Sequence, residues 1–124
     1  MKRFYIVVFV LLATSFTRGD ASVLPEQDPA KVNAKFITVK LDNSRVRVFE
    51  AALKPGEKEA VHSHPSTVVY VIDGGKLRNY AADGAVAEVE LRAGDTLYRD
   101  PLTHWAENVG NTTIRLIVVE LKQE

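Results

Sequence analysis

The stretch that decides the fold runs from Gly56 to Gly75 and reads GEKEAVHSHPSTVVYVIDGG. Two histidines at its centre, His62 and His64, are separated by one residue, and a β-branched and aromatic run over 67–72 follows them. Alternate residues of a strand project from the same face, so both imidazoles can approach one point. Two exposed histidines on a strand without any ligand are the alternative interpretation of such a pair.

The chain offers few of the residue types that usually bind metals or attack substrates. Its 124 residues include three histidines and no cysteine. The absence of cysteine excludes a disulfide framework, a thiolate metal site and a thiol nucleophile. Histidine is therefore the remaining strong nitrogen ligand and near-neutral base. The third histidine, His104, opens another strand-like segment and can supply a third ligand from across a barrel.

The segments around this stretch have the pattern of short strands. Residues 45–49 alternate charged and apolar side chains with a period of two, and no segment keeps a helical period over three turns. Turn-forming Gly, Pro, Asn or Asp residues recur along the chain at the spacing typical of sandwiches and barrels. The sequence predicts an all-β domain of eight or more strands. Residues 22–35, which contain Pro25 and Pro29, are predicted to form an extended lead-in.

The overall charge excludes one class of function. The 16 Lys and Arg residues are balanced by 16 Asp and Glu residues, which gives a formal net charge of zero. Such a chain has no basic field to hold a phosphate backbone, so we expect no nucleic-acid partner. Its length predicts a single domain.

The first residues have the pattern of a secretory signal peptide. Lys2 and Arg3 precede an apolar run, and no further charge appears until Arg18. The uncharged stretch over 4–17 has 14 residues, which is short of the ~20 that a bilayer-spanning helix needs. The sequence therefore predicts a signal peptide over 1–21 and a secreted or periplasmic protein without stable membrane insertion after its removal. A membrane anchor is the alternative.

Two stretches together resemble the conserved motifs of the cupin superfamily. In the first motif a glycine, a His-x-His pair, a glutamate and a second glycine follow at fixed spacing. The second motif is similar to residues 94–108. The residues that match the two motifs are Gly56, His62, His64 and Gly75, and then Gly94, Pro101, His104 and Asn108. The resemblance implies a double-stranded β-helix, or jelly-roll, barrel, with a single cupin domain over 36–124.

The resemblance also implies a metal site, with one departure. It predicts that His62, His64 and His104 hold a divalent transition metal, which is Fe, Mn, Zn, Ni or Cu. Val68 stands where the family has its glutamate ligand. Three neutral imidazoles leave a divalent ion at plus two, so an anionic ligand is favoured inside a barrel of low dielectric. A barrel in which the three histidines only pack is the alternative.

Two further residues are candidates for the site because alternate residues of a strand face the same side. Glu50 lies on the same side as Val46 and Val48, so its carboxylate can replace the missing ligand or orient a histidine. A surface charge is the alternative. Tyr70 shares parity with Val68 and is expected to line the cavity, either as a proton donor or as a core aromatic.

Three charged residues near the motifs are also given interpretations. Glu57 and Glu59 are expected to be solvated turn charges. Arg99 is expected to pair with an aspartate at the surface, Asp95 or Asp100, or else to anchor an anionic substrate.

The resemblance implies a metal-dependent enzyme that acts on a small anionic organic molecule. Dioxygenase-like oxidation is the first expectation, and isomerase or lyase chemistry is the second. A non-catalytic module that binds a small molecule or a metal ion is the alternative, and fold alone does not decide between them. A homodimer formed through sheet faces, as in other small cupins, is also expected.

Overall fold

The computed structural model describes residues 27–123, which form two antiparallel sheets with the core between them. The predicted signal peptide over 1–21 lies outside the described residues. The elements in chain order are α1 (Pro29–Val32), β1 (Ile37–Asp42), β2 (Val46–Leu53), β3 (His62–His64), β4 (Thr67–Asp73), β5 (Gly75–Ala81), β6 (Val86–Leu91), β7 (Thr96–Arg99), β8 (Leu102–Asn108) and β9 (Ile114–Leu121).

The order of the strands matches a jelly roll. One sheet has five strands in the order β1-β2-β9-β4-β7, and the other has four in the order β3-β8-β5-β6. Strands adjacent in sequence therefore lie in different sheets at several points, for example β3 and β4. The prediction of an all-β, double-stranded β-helix barrel with a single domain is confirmed.

The apolar core fills the space between the two sheets. Its largest cluster of buried side chains consists of Phe36, Leu53, Val71, Leu77, Leu91, Ala106 and Ile114, and a smaller cluster contains Phe49, Val69 and Val118. Burying one such large side chain contributes about 1.5–3 kcal/mol to folding. Because the chain has no cysteine, this packing is the principal source of stability for the barrel that positions the site.

A short helix, α1, lies within residues 22–35, where the sequence predicts an extended lead-in. Asp28 caps α1 by accepting a hydrogen bond from a backbone amide of the first turn, and Pro29 occupies its first position. The guanidinium of Arg47 on β2 donates to both carboxylate oxygens of Asp28, at 2.8 and 3.0 Å. These tertiary contacts, which strand periodicity does not reveal, fold residues 28–33 against the barrel.

Two motif glycines are required by the backbone. Gly94 has a φ of 91° in the turn before β7, a conformation that favours glycine. A side chain at Gly75 would come within 2.8 Å of Ile114 and Thr112.

Among residues 27–123, no helix has the length and apolar character that crossing a bilayer requires.

Candidate metal centre

The three histidines come together on two neighbouring strands of the four-stranded sheet. The ladder between β3 and β8 pairs His62 directly with His104, and His64 follows on the same face as His62. The ring centroids lie 4.6 to 5.3 Å apart. One ring nitrogen from each histidine lies within 4.8 Å of the other two. The structure therefore brings together all three predicted ligands.

The Nδ1 atom of each ring lies within hydrogen-bond distance of an oxygen atom that can only accept a hydrogen bond. The three pairs are His62 with the carbonyl of Ala60 at 2.8 Å, His64 with Oε2 of Glu120 at 3.1 Å, and His104 with Oδ1 of Asn79 at 2.5 Å. Nδ1 therefore donates in His64 and His104, and the lone pairs of their Nε2 atoms are free. Nδ1 of His62 also lies 3.0 Å from the amide Nδ2 atom of Asn33, so the contacts of this ring are compatible with either tautomer. Such outer partners fix the tautomer and the orientation of metal-binding histidines.

The free nitrogens fit a metal ion. The Nε2 atom of His104 is buried and has no hydrogen-bond partner among the described residues. An unsatisfied buried polar atom costs about 1–3 kcal/mol, and a cation bound by the three Nε2 atoms would remove that cost. Three imidazole nitrogens are a common donor set for zinc, copper, iron and nickel.

Burial keeps two of the rings neutral. Desolvation lowers the pKa of His62 to about 4, and it lowers the pKa of His104 to about 2, where the charges of the other two histidines act in the same direction. A neutral imidazole is the form that binds metal, so these residues are ready to act as ligands at neutral pH.

Glu59 is part of this cavity, so its interpretation as a solvated turn charge is wrong. Only 17% of its side chain is exposed, and its Oε2 atom lies 3.6 Å from Nε2 of His62. That oxygen is buried without a hydrogen-bond partner among residues 27–123. Desolvation raises the pKa of Glu59 to about 7. A hydrogen bond between its carboxylate and the backbone of Ala106, and the charge of Arg99, oppose this rise.

A shift in strand register brings Glu59 to the cavity. Lys58 forms a bridge with Glu107, whereas His62 pairs with His104, so the register changes by one residue between the two pairs. Such an irregularity reverses the alternation of faces. Glu59 and His62 therefore face the same cavity although they are three residues apart. The two pairings were the signal that could have revealed this, and they are visible only in the folded chain.

Glu50 is a surface charge, as the alternative interpretation has it, and the prediction that Tyr70 lines the cavity is wrong. Phe49 and Ala51 line the cavity, so Glu50 between them faces outward, where it binds Arg115 at 2.7 Å. Tyr70 is 47% exposed on the outer face of the five-stranded sheet. Neither side chain contributes to the site.

Val68 also faces away from the cavity, which changes the meaning of the missing glutamate. Thr67 and Val69 line the cavity instead. The chain leaves one sheet after His64 and enters the other at Thr67, and the phase of alternation changes at this crossing. The residue that spacing aligns with the family's glutamate is therefore not one that projects toward the histidines.

Arg99 is the cationic side chain of the cavity. Arg99 pairs with Thr67 across β7 and β4, and both residues line the cavity. Of the two interpretations, a surface pair with Asp95 or Asp100 is absent among residues 27–123, and the side chain of Arg99 forms no ion pair or hydrogen bond with them. Burial lowers the pKa of Arg99, and the charge of Glu59 opposes this effect. A guanidinium nevertheless remains protonated in proteins.

Glu120 and Asn79 are supporting residues that the sequence did not reveal. Glu120 is 2% exposed near the end of β9 and accepts hydrogen bonds from His64 and from Arg47, the latter at 2.6 Å. Asn79 lies within β5, outside both sequence motifs. Both lie on strands, and only the pairing of strands that are distant in sequence brings them to the histidines.

Comparison with known proteins gives one family match. The family model Cupin_2, described as a cupin domain, matches residues 49–120. This range contains all three histidines together with Glu59 and Arg99. No curated protein matches the chain.

Several solved structures share the fold. A cupin domain from Bordetella pertussis Tohama I is 28% identical with a TM-score of 0.65, over 70% of this chain and 92% of its own. An uncharacterized conserved protein with a double-stranded β-helix domain from Klebsiella pneumoniae subsp. pneumoniae MGH 78578 is 26% identical with a TM-score of 0.56, over 71% and 84%. A predicted oxalate decarboxylase from Thermotoga maritima is 21% identical with a TM-score of 0.54, over 70% and 79%, and this likeness concerns the fold alone.

Proposed function

The chain belongs to the Cupin_2 family of cupin domains, and from this premise we propose that it is an exported, metal-dependent enzyme for a small anionic organic molecule. A divalent transition metal, Fe, Mn, Zn, Ni or Cu, is held by His62, His64 and His104. Dioxygenase-like oxidation is the first reaction class that we propose, and isomerase or lyase chemistry is the second.

One observation carries the proposal of a metal. The Nδ1 atoms of His64 and His104 donate to Glu120 and Asn79, which leaves their Nε2 atoms for a ligand. Nδ1 of His62 contacts the carbonyl of Ala60 and the amide of Asn33. Histidines that only pack would be expected to hydrogen-bond through both nitrogens, yet the buried Nε2 atom of His104 has no such partner among the described residues. When bound, a divalent ion would polarise an oxygen of the bound molecule or activate dioxygen.

The charge of the cavity supports an anionic substrate. A divalent ion and the Arg99 guanidinium together carry three positive charges, and the Glu59 carboxylate balances one of them at most. Arg99 presents a planar set of donors that suits a carboxylate. Its place beside the histidines would orient an anion with one end on the guanidinium and the other toward the metal.

The size and the walls of the cavity support a small substrate. The cavity volume is about 70 Å³, and apolar side chains such as Phe49, Leu97 and Val118 line it. One water needs about 10–15 Å³ of such volume, so there is room for a ligand of a few non-hydrogen atoms. The apolar walls exclude bulk water and strengthen the electrostatic interactions inside.

The proposal also includes export and a homodimer. The predicted signal peptide over 1–21 supports a secreted or periplasmic location, and N-terminal sequencing of the mature protein tests it.

Tyr70 and Tyr98 are exposed on the outer face of the five-stranded sheet, at 47% and 62%. These aromatic side chains support association through that face, which sedimentation of the purified protein tests.

Anion binding by the Zn²⁺-loaded protein tests the proposed substrate class. We expect acetate and malonate to bind, and the neutral acetamide to bind far more weakly, in calorimetric titrations. Arg99→Met should weaken carboxylate binding roughly 10- to 100-fold, because a hydrogen bond to a charged group contributes about 1.5–3 kcal/mol. Arg92→Met is the matched control, because Arg92 is exposed.

Two outcomes would contradict the proposal in different ways. Equal binding of acetate and acetamide, or no effect of Arg99→Met, would exclude the anionic substrate. Carboxylate binding without oxygen uptake by the Fe²⁺-loaded protein, and without conversion of the anion with any of the five metals, would instead support the non-catalytic binding module.

A further inference from the structure

Glu59 has a buried carboxylate oxygen that the barrel leaves without a partner. Its Oε2 atom accepts no hydrogen bond from residues 27–123. The nearest candidate is Nε2 of His62 at 3.6 Å, which is beyond hydrogen-bond distance. When Nδ1 of His62 donates to the carbonyl of Ala60, Nε2 of His62 and Oε2 of Glu59 are two acceptor atoms that face each other inside a largely apolar cavity. Such an arrangement is unfavourable unless a cation lies between them.

The separation of the two atoms matches two ligands of one metal ion. Metal–nitrogen and metal–oxygen bonds of about 2.1 Å place neighbouring ligand atoms about 3.0 Å apart at a right angle and about 3.4 Å apart in a tetrahedron. The observed 3.6 Å exceeds the tetrahedral value by a few tenths of an ångström. Rotation about the side-chain bonds of Glu59 can close this difference. The ligand atoms of the three histidines lie within 4.8 Å of one another.

We propose that Glu59 is the fourth protein ligand of the metal centre. This inference rests on the proposed binding of a metal by His62, His64 and His104. The carboxylate reaches the ion from the segment before the His-x-His pair, across the register shift at Lys58, and not from β4, where Val68 faces outward and Val69 is apolar. A divalent ion with three imidazoles and this carboxylate has a net charge of plus one. Arg99 then provides the second positive charge that a bound anion meets.

Binding of Co²⁺, a spectroscopic probe for such sites, tests this assignment. The affinity of the wild-type protein is measured by competition with a chelator, together with the visible absorption of the bound ion. We expect Glu59→Gln to weaken Co²⁺ binding by roughly 10- to 100-fold or more, since even residues that only contact a ligand contribute that much. The absorption spectrum of bound Co²⁺ should also change. Glu90→Gln, at an exposed glutamate, is the matched control and should leave both unchanged.

The possible outcomes separate this inference from the proposed function. If wild-type protein binds Co²⁺, His104→Ala abolishes binding, and Glu59→Gln leaves affinity and spectrum unchanged, the fourth ligand is excluded and the histidine centre stands. If wild-type protein does not bind Co²⁺, both fail. A crystal structure of the Zn²⁺-loaded wild-type protein provides a test that does not depend on the folding of any variant. An Oε atom of Glu59 within about 2.2 Å of zinc is expected, and a separation beyond 3 Å would overturn the assignment.

Discussion

The Nδ1 atom of His104 lies 2.5 Å from the Oδ1 atom of Asn79 on the neighbouring strand β5. Because an amide oxygen can only accept, the imidazole proton is on Nδ1 and the Nε2 lone pair faces the other two histidines. Asn79 does not itself reach the centre. Its contribution is to hold the ring of His104 in one tautomer and one orientation, so its effect on metal binding acts through His104.

Loss of the Asn79 amide should therefore weaken metal binding without abolishing it. We expect Asn79→Ala to lower Zn²⁺ affinity by about 10- to 100-fold, the usual effect of removing such a partner. Chelator competition measures the change. Asn111→Ala, in an exposed turn, is the control. Equal affinities for wild-type protein and Asn79→Ala would show that the ring of His104 needs no support from β5.

The buried carboxylate of Glu59 should destabilise the metal-free protein at high pH. Its pKa in the folded state is about 7, raised by burial from an ordinary value of 4.5. The stabilising effect of a raised pKa is complete below the unfolded value and is lost as pH rises through the folded one. Relative to Glu59→Gln, metal-free wild-type protein should thus be less stable by about 3 kcal/mol at pH 8.

Urea unfolding of the two metal-free proteins from pH 4 to pH 8 measures this difference. His62 and His104 have lowered pKa values, so their effect has the opposite sign and is lost as pH falls from the unfolded value of 6.5 toward 4. Both proteins contain these histidines, so the comparison isolates Glu59. A stability difference that does not vary with pH would show that Glu59 is solvated.

The motifs predicted much of the centre, because their histidines lie close to one another on paired strands. His62 and His64 share a face within one strand. The expectation that His104 reaches them from across the barrel is wrong, because β8 pairs directly with β3 in the same sheet. The alternation of side chains between two faces predicts their direction only within a continuous strand. It fails at Val68, which follows the crossing from one sheet to the other, and at Glu59, which lies beyond a register shift. Glu120 lies opposite Thr67 through pairing of β4 with β9, a long-range contact that local sequence does not encode.

A pair of substitutions can test which residues of β4 face the cavity. Val69 lines the cavity and is 7% exposed, whereas Val68 faces outward. Burying an unpaired carboxylate is strongly unfavourable. We expect Val69→Asp to destabilise the metal-free protein by about 3 kcal/mol or more and Val68→Asp to have a much smaller effect. Thermal unfolding of both variants measures this, and a larger loss for Val68→Asp would reverse the assigned phase.

The central claim is that His62, His64 and His104 bind one divalent metal ion through their Nε2 atoms. Elemental analysis of untagged protein from its native compartment tests it most directly, with thermal unfolding before and after metal addition and with His104→Ala as the comparison. We predict close to one transition-metal ion per chain, a higher melting temperature with metal, and loss of both in His104→Ala. Wild-type protein that holds no metal, and whose melting temperature is unchanged by added iron, manganese, nickel, copper or zinc, would contradict the claim.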